Sequence, residues 1–159
     1  MVEVRDYGVY KLEEPDHFLF QKPEPVGLRK GETFGHAPDG GVPRAVGHEW
    51  DIRISRLVAL TPDPMPAGAA WPGELPGIVT LAQGILEKDA AEFDLSVRAT
   101  RSPDRVVAEM IYWERPQGGR VFHAGAIGAG WALGVDPALQ KLMRNVLFHF
   151  GVPRPSDKK

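Results

Sequence analysis

Residues 136–151, DPALQKLMRNVLFHFG, predict the most regular element of the chain, an amphipathic helix. Asp136 is a residue type that caps a helix N-terminus through its side chain, and Pro137 fits the first helical position. Gly151 stands where helices commonly end in a left-handed residue, and Pro153 prevents continuation. The apolar side chains that recur at helical spacing, and are expected to face a core, are Leu139, Leu142, Met143, Val146, Leu147 and Phe150.

Several segments before this helix have the pattern of β-strands. Residues 50–55 alternate apolar and polar side chains, which is typical of a half-buried strand, and a further strand is predicted at residues 78–86. Residues 106–113 and 120–124 flank the sequence RPQGG at 115–119. Because its glycines readily adopt the positive φ of a tight turn, these two segments predict a β-hairpin.

The remaining sequence is rich in glycine and proline, with 18 and 15 residues respectively. Five prolines between residues 61 and 77 predict a loop, and residues 38–43 predict a turn. The apolar run at 16–20 is compatible with a strand or with a docked turn. We therefore expect an irregular segment at 1–45, a sheet with the C-terminal helix at 46–151 in the same domain, and a polar tail at 152–159.

The numbers of predicted strands and helices indicate the fold class: the sequence predicts four or five strands and one clear helix. A doubly wound sheet needs helices on both faces, and this chain offers too few of them. The sequence thus predicts either an α+β domain or one end of a larger α/β unit whose other helices lie elsewhere. We expect a partner, either further chain or another subunit, and a protein that is oligomeric.

Composition narrows the function classes. The formal charge is −2 and no basic run is present, so nucleic-acid binding is not expected. The absence of cysteine excludes disulfides, thiolate metal sites and a cysteine nucleophile. The N-terminal residues lack the apolar core of a signal peptide, and no stretch approaches about 18 consecutive apolar residues. A cytoplasmic protein without a membrane segment is the expectation.

The densest polar cluster beside an apolar element is His48-Glu49-Trp50-Asp51. Glu49 lies at the entrance of a predicted strand, where a carboxylate can point into a cleft. An apolar environment against Trp50 would suit it to act as a general acid or base, with His48 and Asp51 as further candidates. The alternative is a structural one, in which Glu49 is solvated or forms a surface salt bridge.

Other candidate sites have weaker signals. The histidines show no pair spaced by four residues and no H-E-x-x-H motif, so they do not predict a metal site; they are His17, His36, His48, His123 and His149. The glycine-rich segment 125–134 leads towards the helix, but its spacing differs from that of phosphate-binding loops, and close packing is the favoured interpretation. No serine has the context of a hydrolase nucleophile.

Several segments, taken in order, resemble the C-terminal region of the large (beta) subunit of N,N-dimethylformamidase and its relatives. They are PDHFLF at 15–20, GLRKGETFG at 27–35, VGHEWD at 46–51 and GRVFHAGAI at 119–127, followed by RNVL at 144–147 in the helix. The resemblance covers most of the chain and is strongest from 108 to 150. One departure is His123, which stands where relatives frequently have asparagine.

The resemblance implies a domain related to the class I glutamine amidotransferase-like fold. It also implies hydrolysis of a small N-alkylated amide at a mononuclear iron held by two tyrosines and a glutamate. Those ligands belong to the region before the matched part, so they are not expected on this chain. The family's functional glutamate in the segment matching 47–51 would correspond to Glu49.

Two functions follow as expectations. The first is the C-terminal domain of a dimethylformamidase-like amidohydrolase, which needs further chain or another subunit for its iron. The second is a non-catalytic interaction domain that packs on a partner, since a sheet covered on one side leaves apolar surface exposed.

Overall fold

A computed structural model describes residues 8–47, 49–53, 75–86 and 106–152 of the chain. They form a mixed α/β fold whose strands are β1 Gly8–Leu12, β2 Thr33–Phe34, β3 Ile78–Leu86, β4 Val106–Glu114 and β5 Arg120–His123. Its helices are the short α1 Phe18–Gln21, the short α2 Ala129–Ala132 and the longer α3 Pro137–His149.

The strands form one sheet in the order β2-β1-β3-β4-β5, and all four pairings are antiparallel. The predicted strand at 78–86 and the predicted hairpin are confirmed as β3 and as β4 with β5. In the hairpin turn, Gly118 and Gly119 have φ of 86° and 92°, and the Arg115 N–H donates to the Gly119 carbonyl at 3.0 Å. Antiparallel pairing places the described sheet in the α+β group of mixed folds.

The predicted C-terminal helix is confirmed as α3. The Asp136 carboxylate accepts a hydrogen bond from the Leu139 N–H at 2.8 Å, and Gly151 follows with a φ of 81°. The predicted apolar stripe is wrong at its distal end: Leu139, Leu142 and Val146 are buried, but Leu147 and Phe150 are exposed.

The reason for this difference is Asn145, a polar residue that is completely buried on α3. Its Nδ2 donates to the carbonyls of Leu19 and Glu24 at 2.8 and 2.7 Å, and its Oδ1 accepts from the Glu24 N–H at 3.1 Å. These bonds attach α3 to α1, through Leu19, and to the segment that follows α1, through Glu24. Because the side of α3 that bears Asn145 is buried, the buried face of the helix is rotated about the helix axis relative to the predicted apolar stripe. Leu147 therefore faces solvent.

The N-terminal part is more regular than the sequence predicts. β1 lies inside the sheet, between β2 and β3, although no period is evident in the sequence before residue 45. Val9 and Tyr10 are neighbours and both buried, so the strand lacks the alternation of a half-exposed strand. The run at 16–20 is a docked turn that contributes to the one-turn helix α1. The predicted turn at 38–43 is present in its first residues, where the Gly40 N–H donates to the Ala37 carbonyl.

Two other predictions fall partly or wholly outside the described residues. Of the predicted strand at 50–55, residues 50–53 are described, and they contribute a single bridge between Trp50 and Ala126. The proline-rich loop at 61–77 is described only from residue 75. Within the described ranges, no helix has the length and apolar character needed to cross a membrane.

The two faces of the sheet differ in chemistry. α3 contributes Leu139, Leu142 and Val146 to the same buried apolar cluster as Tyr10 of β1 and Met110 of β4. Side chains alternate along a strand, so Glu109, next to Met110, projects to the opposite face. That opposite face carries the polar residues from which a site can be built.

Candidate functional site

Two segments that are distant in sequence meet beside the end of β5. The Asp51 N–H donates to the Gly125 carbonyl at 2.8 Å, and the Ile127 N–H donates to the Glu49 carbonyl at 3.1 Å. On its other side, the Asp51 carbonyl accepts from the Glu109 N–H of β4 at 2.9 Å. Asp51 is therefore held by its backbone between β4 and the segment that follows β5.

This pairing produces a cleft of about 180 Å³ that is lined by Glu49, Asp51, His123 and residues 124–127. A second cleft of about 160 Å³ also includes Asp51 and His123 and extends to Arg53 and Glu109. Both are smaller than the pockets that enclose drug-sized ligands, which start at about 300 Å³. The size suits a molecule of only a few non-hydrogen atoms.

The structure brings two of the three sequence-predicted site residues into this cleft, Glu49 and Asp51. The third, His48, lies outside the described residues. Glu49 is exposed, whereas Trp50 is half-buried and packs against the core cluster. Glu49 lines the cleft, whereas Trp50 does not. The role of Glu49 as an acid or base stays a prediction. Because its side chain is exposed, it lacks the apolar environment that was expected from Trp50.

His123 is a cleft residue that sequence reasoning did not assign to the site. Its Nε2 lies 3.3 Å from Asp51 Oδ2, and the two side chains are 46% and 79% exposed. His123 pairs with Ile111 across the β4–β5 ladder, so it projects from the same sheet face as Glu109. Its departure from the asparagine of the resembled family was the one signal in the sequence that singled it out.

Beneath the second cleft lies a buried ion pair, which sequence reasoning also missed. Glu109 is 1% exposed, and the Arg53 guanidinium donates Nε–H to its Oε2 at 3.1 Å and Nη2–H to its Oε1 at 3.0 Å. The Arg53 N–H and the Thr80 hydroxyl also donate to this carboxylate, at 3.0 and 3.1 Å. The signal for the pair was Glu109 itself, the only charged residue in the apolar stretch 106–113.

The floor of the first cleft depends on close backbone approach. A Cβ on Gly125 would lie 2.2 Å from the Glu109 carbonyl oxygen, and one on Gly128 would lie 2.7 Å from the Ala45 carbonyl oxygen. The glycine-rich segment is thus closely packed at these two positions, as its sequence predicts, whereas a Cβ on Gly130 would meet nothing within 4 Å. The Tyr10 hydroxyl donates to the Ala124 carbonyl at 2.6 Å, and burial raises the pKa of Tyr10 well above its ordinary value, which keeps the hydroxyl a donor.

The described residues do not fit the iron site that the resemblance implies. They contain no group of three histidine or carboxylate side chains placed to hold a metal. Of the tyrosines in these ranges, Tyr10 donates its hydroxyl to a backbone carbonyl, and the Tyr112 ring packs against Phe18 and His17.

Comparison with known proteins does not assign the chain to a family, because no protein-family model and no curated protein gives a significant match to it.

Proposed function

We propose that this chain is the C-terminal domain of a dimethylformamidase-like amidohydrolase that acts on a small N-alkylated amide. The observation that carries the proposal is the pairing between 46–51 and 119–127, two of the segments on which the resemblance depends. Their backbone hydrogen bonds place Glu49, Asp51 and His123 around one small cleft. Such a convergence of carboxylate and imidazole groups is typical of acid–base chemistry.

In this proposal Glu49 moves the protons that amide hydrolysis requires. A water molecule attacks the carbonyl carbon and loses a proton to the Glu49 carboxylate, which returns a proton to the leaving amine. The exposure of Glu49 leaves it open to both water and amide. The family's iron would be held by chain outside the described residues, from the rest of the large subunit or from another subunit.

The glutamine amidotransferase-like fold is part of the same proposal. One long helix covers one face of the described five-stranded sheet. We propose that further chain completes the layers of a larger domain in a cytoplasmic, oligomeric enzyme.

Glu49→Gln tests the proposed function. The amide of glutamine has similar size but accepts no proton, so turnover of N,N-dimethylformamide should fall about 100-fold or more. The measurement is dimethylamine release by the native assembly, purified through a tag on this chain. Glu114→Gln is the matched control, because Glu114 is exposed at the end of β4 and pairs with Arg120 away from the cleft. Activity of Glu49→Gln within about a factor of two of wild type would remove Glu49 from the mechanism.

A second candidate function, an interaction domain without catalysis, is favoured by apolar surface at the end of α3. Four apolar side chains there are 42% to 49% exposed, namely Leu147, Phe148, Phe150 and Val152. Apolar residues grouped on a surface mark contacts with other proteins more often than scattered ones do.

Size-exclusion chromatography with light scattering distinguishes this candidate. If the surface is an interface, the purified chain should associate or co-purify with a subunit, and Phe148→Glu should abolish the association. Val42→Glu is the control for a new charge in place of an exposed apolar side chain, because Val42 is 70% exposed and lies in the turn at 38–43, outside this surface. A wild-type chain that stays monomeric and melts cooperatively would count against the interaction domain.

A further inference from the structure

A larger cleft lies between the end of β1 and the beginning of β3. Its volume is about 360 Å³, twice that of the cleft at Glu49, and pockets of this size hold small organic ligands. The lining residues are Glu13, Glu14, Ile78, Val79, Thr80 and Gln83. Gln83 opposes Glu109 in the β3–β4 ladder, so this cleft belongs to the sheet face opposite α3.

Two carboxylates give the cleft its negative charge. The Leu81 carbonyl accepts from the N–H groups of Glu13 and Glu14 at 2.9 and 3.3 Å, which holds both residues beside β3. The register of β3 against β4 shifts between Thr80 and Ala82, and Leu81 is the extra residue of this bulge. The bulge therefore places two consecutive glutamates at the rim of one cleft.

The basic side chains nearby do not cancel this charge inside the cleft. Lys30 lies 3.7 Å from Glu13 but is 65% exposed, and Lys11 opposes Gln83 across the β1–β3 ladder; neither lysine lines the cleft. Glu14 is exposed and forms no ion pair with the part of the chain that the structure describes. A cation can therefore reach Glu14 from solvent without displacing a partner.

Gln83 is the residue that indicates a ligand. It is 7% exposed and lines the cleft, and its side-chain amide forms no hydrogen bond with any described residue. Buried side-chain amides are normally hydrogen-bonded, because a polar group that loses its water needs another partner. The Thr80 hydroxyl is engaged by Arg53 and Glu109. The Gln83 amide therefore presents an unused acceptor and an unused donor to a molecule in the cleft.

We propose that this cleft binds a small organic cation that carries a primary ammonium group and a short alkyl chain. An ammonium group has three N–H donors, and the acceptors that the cleft offers are the carboxylates of Glu13 and Glu14 and the Gln83 Oε1. The half-buried side chains of Ile78 and Val79 provide an apolar wall for the alkyl chain. This ligand site is separate from the proposed amide hydrolysis and does not depend on it.

A metal ion fits the cleft less well. Ca²⁺ takes about six to eight oxygen ligands, whereas the cleft offers two carboxylates and one amide oxygen besides the engaged Thr80 hydroxyl. Within the described ranges, no three histidine or carboxylate side chains are grouped so as to hold a metal. The donor set therefore favours an ammonium ion.

Isothermal titration calorimetry of the native assembly, purified through a tag on this chain, tests the proposal. The probe is n-butylamine at about pH 7, where a primary alkylamine is protonated, and it should bind saturably. Tetramethylammonium has the same charge but no N–H donor, so it should bind at least about 10-fold more weakly. Calcium chloride tests the metal alternative and should not compete with butylammonium.

Two variants each remove one acceptor. Gln83→Met keeps the length of the side chain without its amide, and Glu14→Gln keeps the size without the charge. Each should weaken butylammonium binding about 10-fold or more. Asp39→Asn is the matched control for the loss of one charge and should bind as the wild type does. Asp39 lies in an exposed turn and accepts from the Gly41 N–H, a bond that asparagine preserves.

A thermal melt checks that each variant folds, and Glu14→Gln, at an exposed position, keeps the test decisive if Gln83→Met does not. The proposal is overturned by the absence of saturable butylammonium binding, by equal affinities for the two organic cations, or by an unchanged affinity in Glu14→Gln. Competition by Ca²⁺ would assign the cleft to a metal ion instead. Because calorimetry measures binding, a failure here leaves the proposed hydrolysis untouched, and an inactive assembly leaves this proposal untouched.

Discussion

Replacing Arg53 by methionine is expected to lower the free energy of unfolding by about 3–5 kcal/mol, because it removes the guanidinium that pairs with the buried Glu109 carboxylate. Glu109 is 1% exposed and receives the two Arg53 guanidinium bonds at 3.0 and 3.1 Å. The Thr80 hydroxyl and the Arg53 N–H also donate to this carboxylate, and both are neutral donors. Urea denaturation followed by circular dichroism measures the loss.

The double variant Arg53→Met/Glu109→Leu separates the cost of an unbalanced charge from the value of the pair. Replacing both partners by apolar residues is often neutral or stabilising, so the double variant should be more stable than Arg53→Met alone. Lys30→Met is the matched surface control, since Lys30 lies 3.7 Å from Glu13 and is largely exposed. Its effect should stay below about 1 kcal/mol. A cost for Arg53→Met as small as that of the control would contradict the prediction.

Gly125→Ala is expected to destabilise the protein by about 4 kcal/mol or more, because two penalties coincide there. Gly125 has a φ of 77°, which a residue with a Cβ adopts only with strain, and its added Cβ would lie 2.2 Å from the Glu109 carbonyl oxygen. The contact is with backbone, so β4 or the cleft segment must move. The same substitution should therefore impair any activity of the cleft.

Gly118→Ala separates the two penalties. Gly118 has a φ of 86°, close to that of Gly125, but a Cβ added to it would meet nothing within 4 Å. Its cost should be about 1–2 kcal/mol, the strain of a positive φ alone. The difference between the two variants in thermal or urea unfolding reports the backbone clash. Equal costs would show that Gly125 is required only for its φ.

The parts of the fold that the sequence predicted are those determined by neighbours in the chain. The caps of α3 and the glycines of the β4–β5 turn act over a few residues, and both are read directly from the sequence. β1 was missed because Val9 and Tyr10 are both buried, which removes alternation, the usual signal of a strand. The exposure of Leu147 was missed because Asn145 bonds to Leu19 and Glu24, more than 100 residues earlier.

The candidate site was likewise predicted where its residues are neighbours in the chain and missed where they are distant in sequence. Glu49 and Asp51 were predicted because they stand together at an apparent strand entrance. His123 and Arg53 join them only through sheet register and long-range pairing, which a single sequence does not reveal. Arg53 and Glu109 are 56 residues apart, so no local pattern in the sequence connects them.

The β4–β5 hairpin has a consequence for how this protein can evolve. His123 opposes Ile111, and Glu114 opposes Arg120, across a five-residue connection. Because side chains in a strand alternate, inserting one residue there would slide β5 by one position and turn the imidazole towards α3. The length of the connection is therefore expected to be invariant among functional descendants, and within it Pro116 and Gln117 are freer to vary than the two glycines, whose positive φ the turn requires.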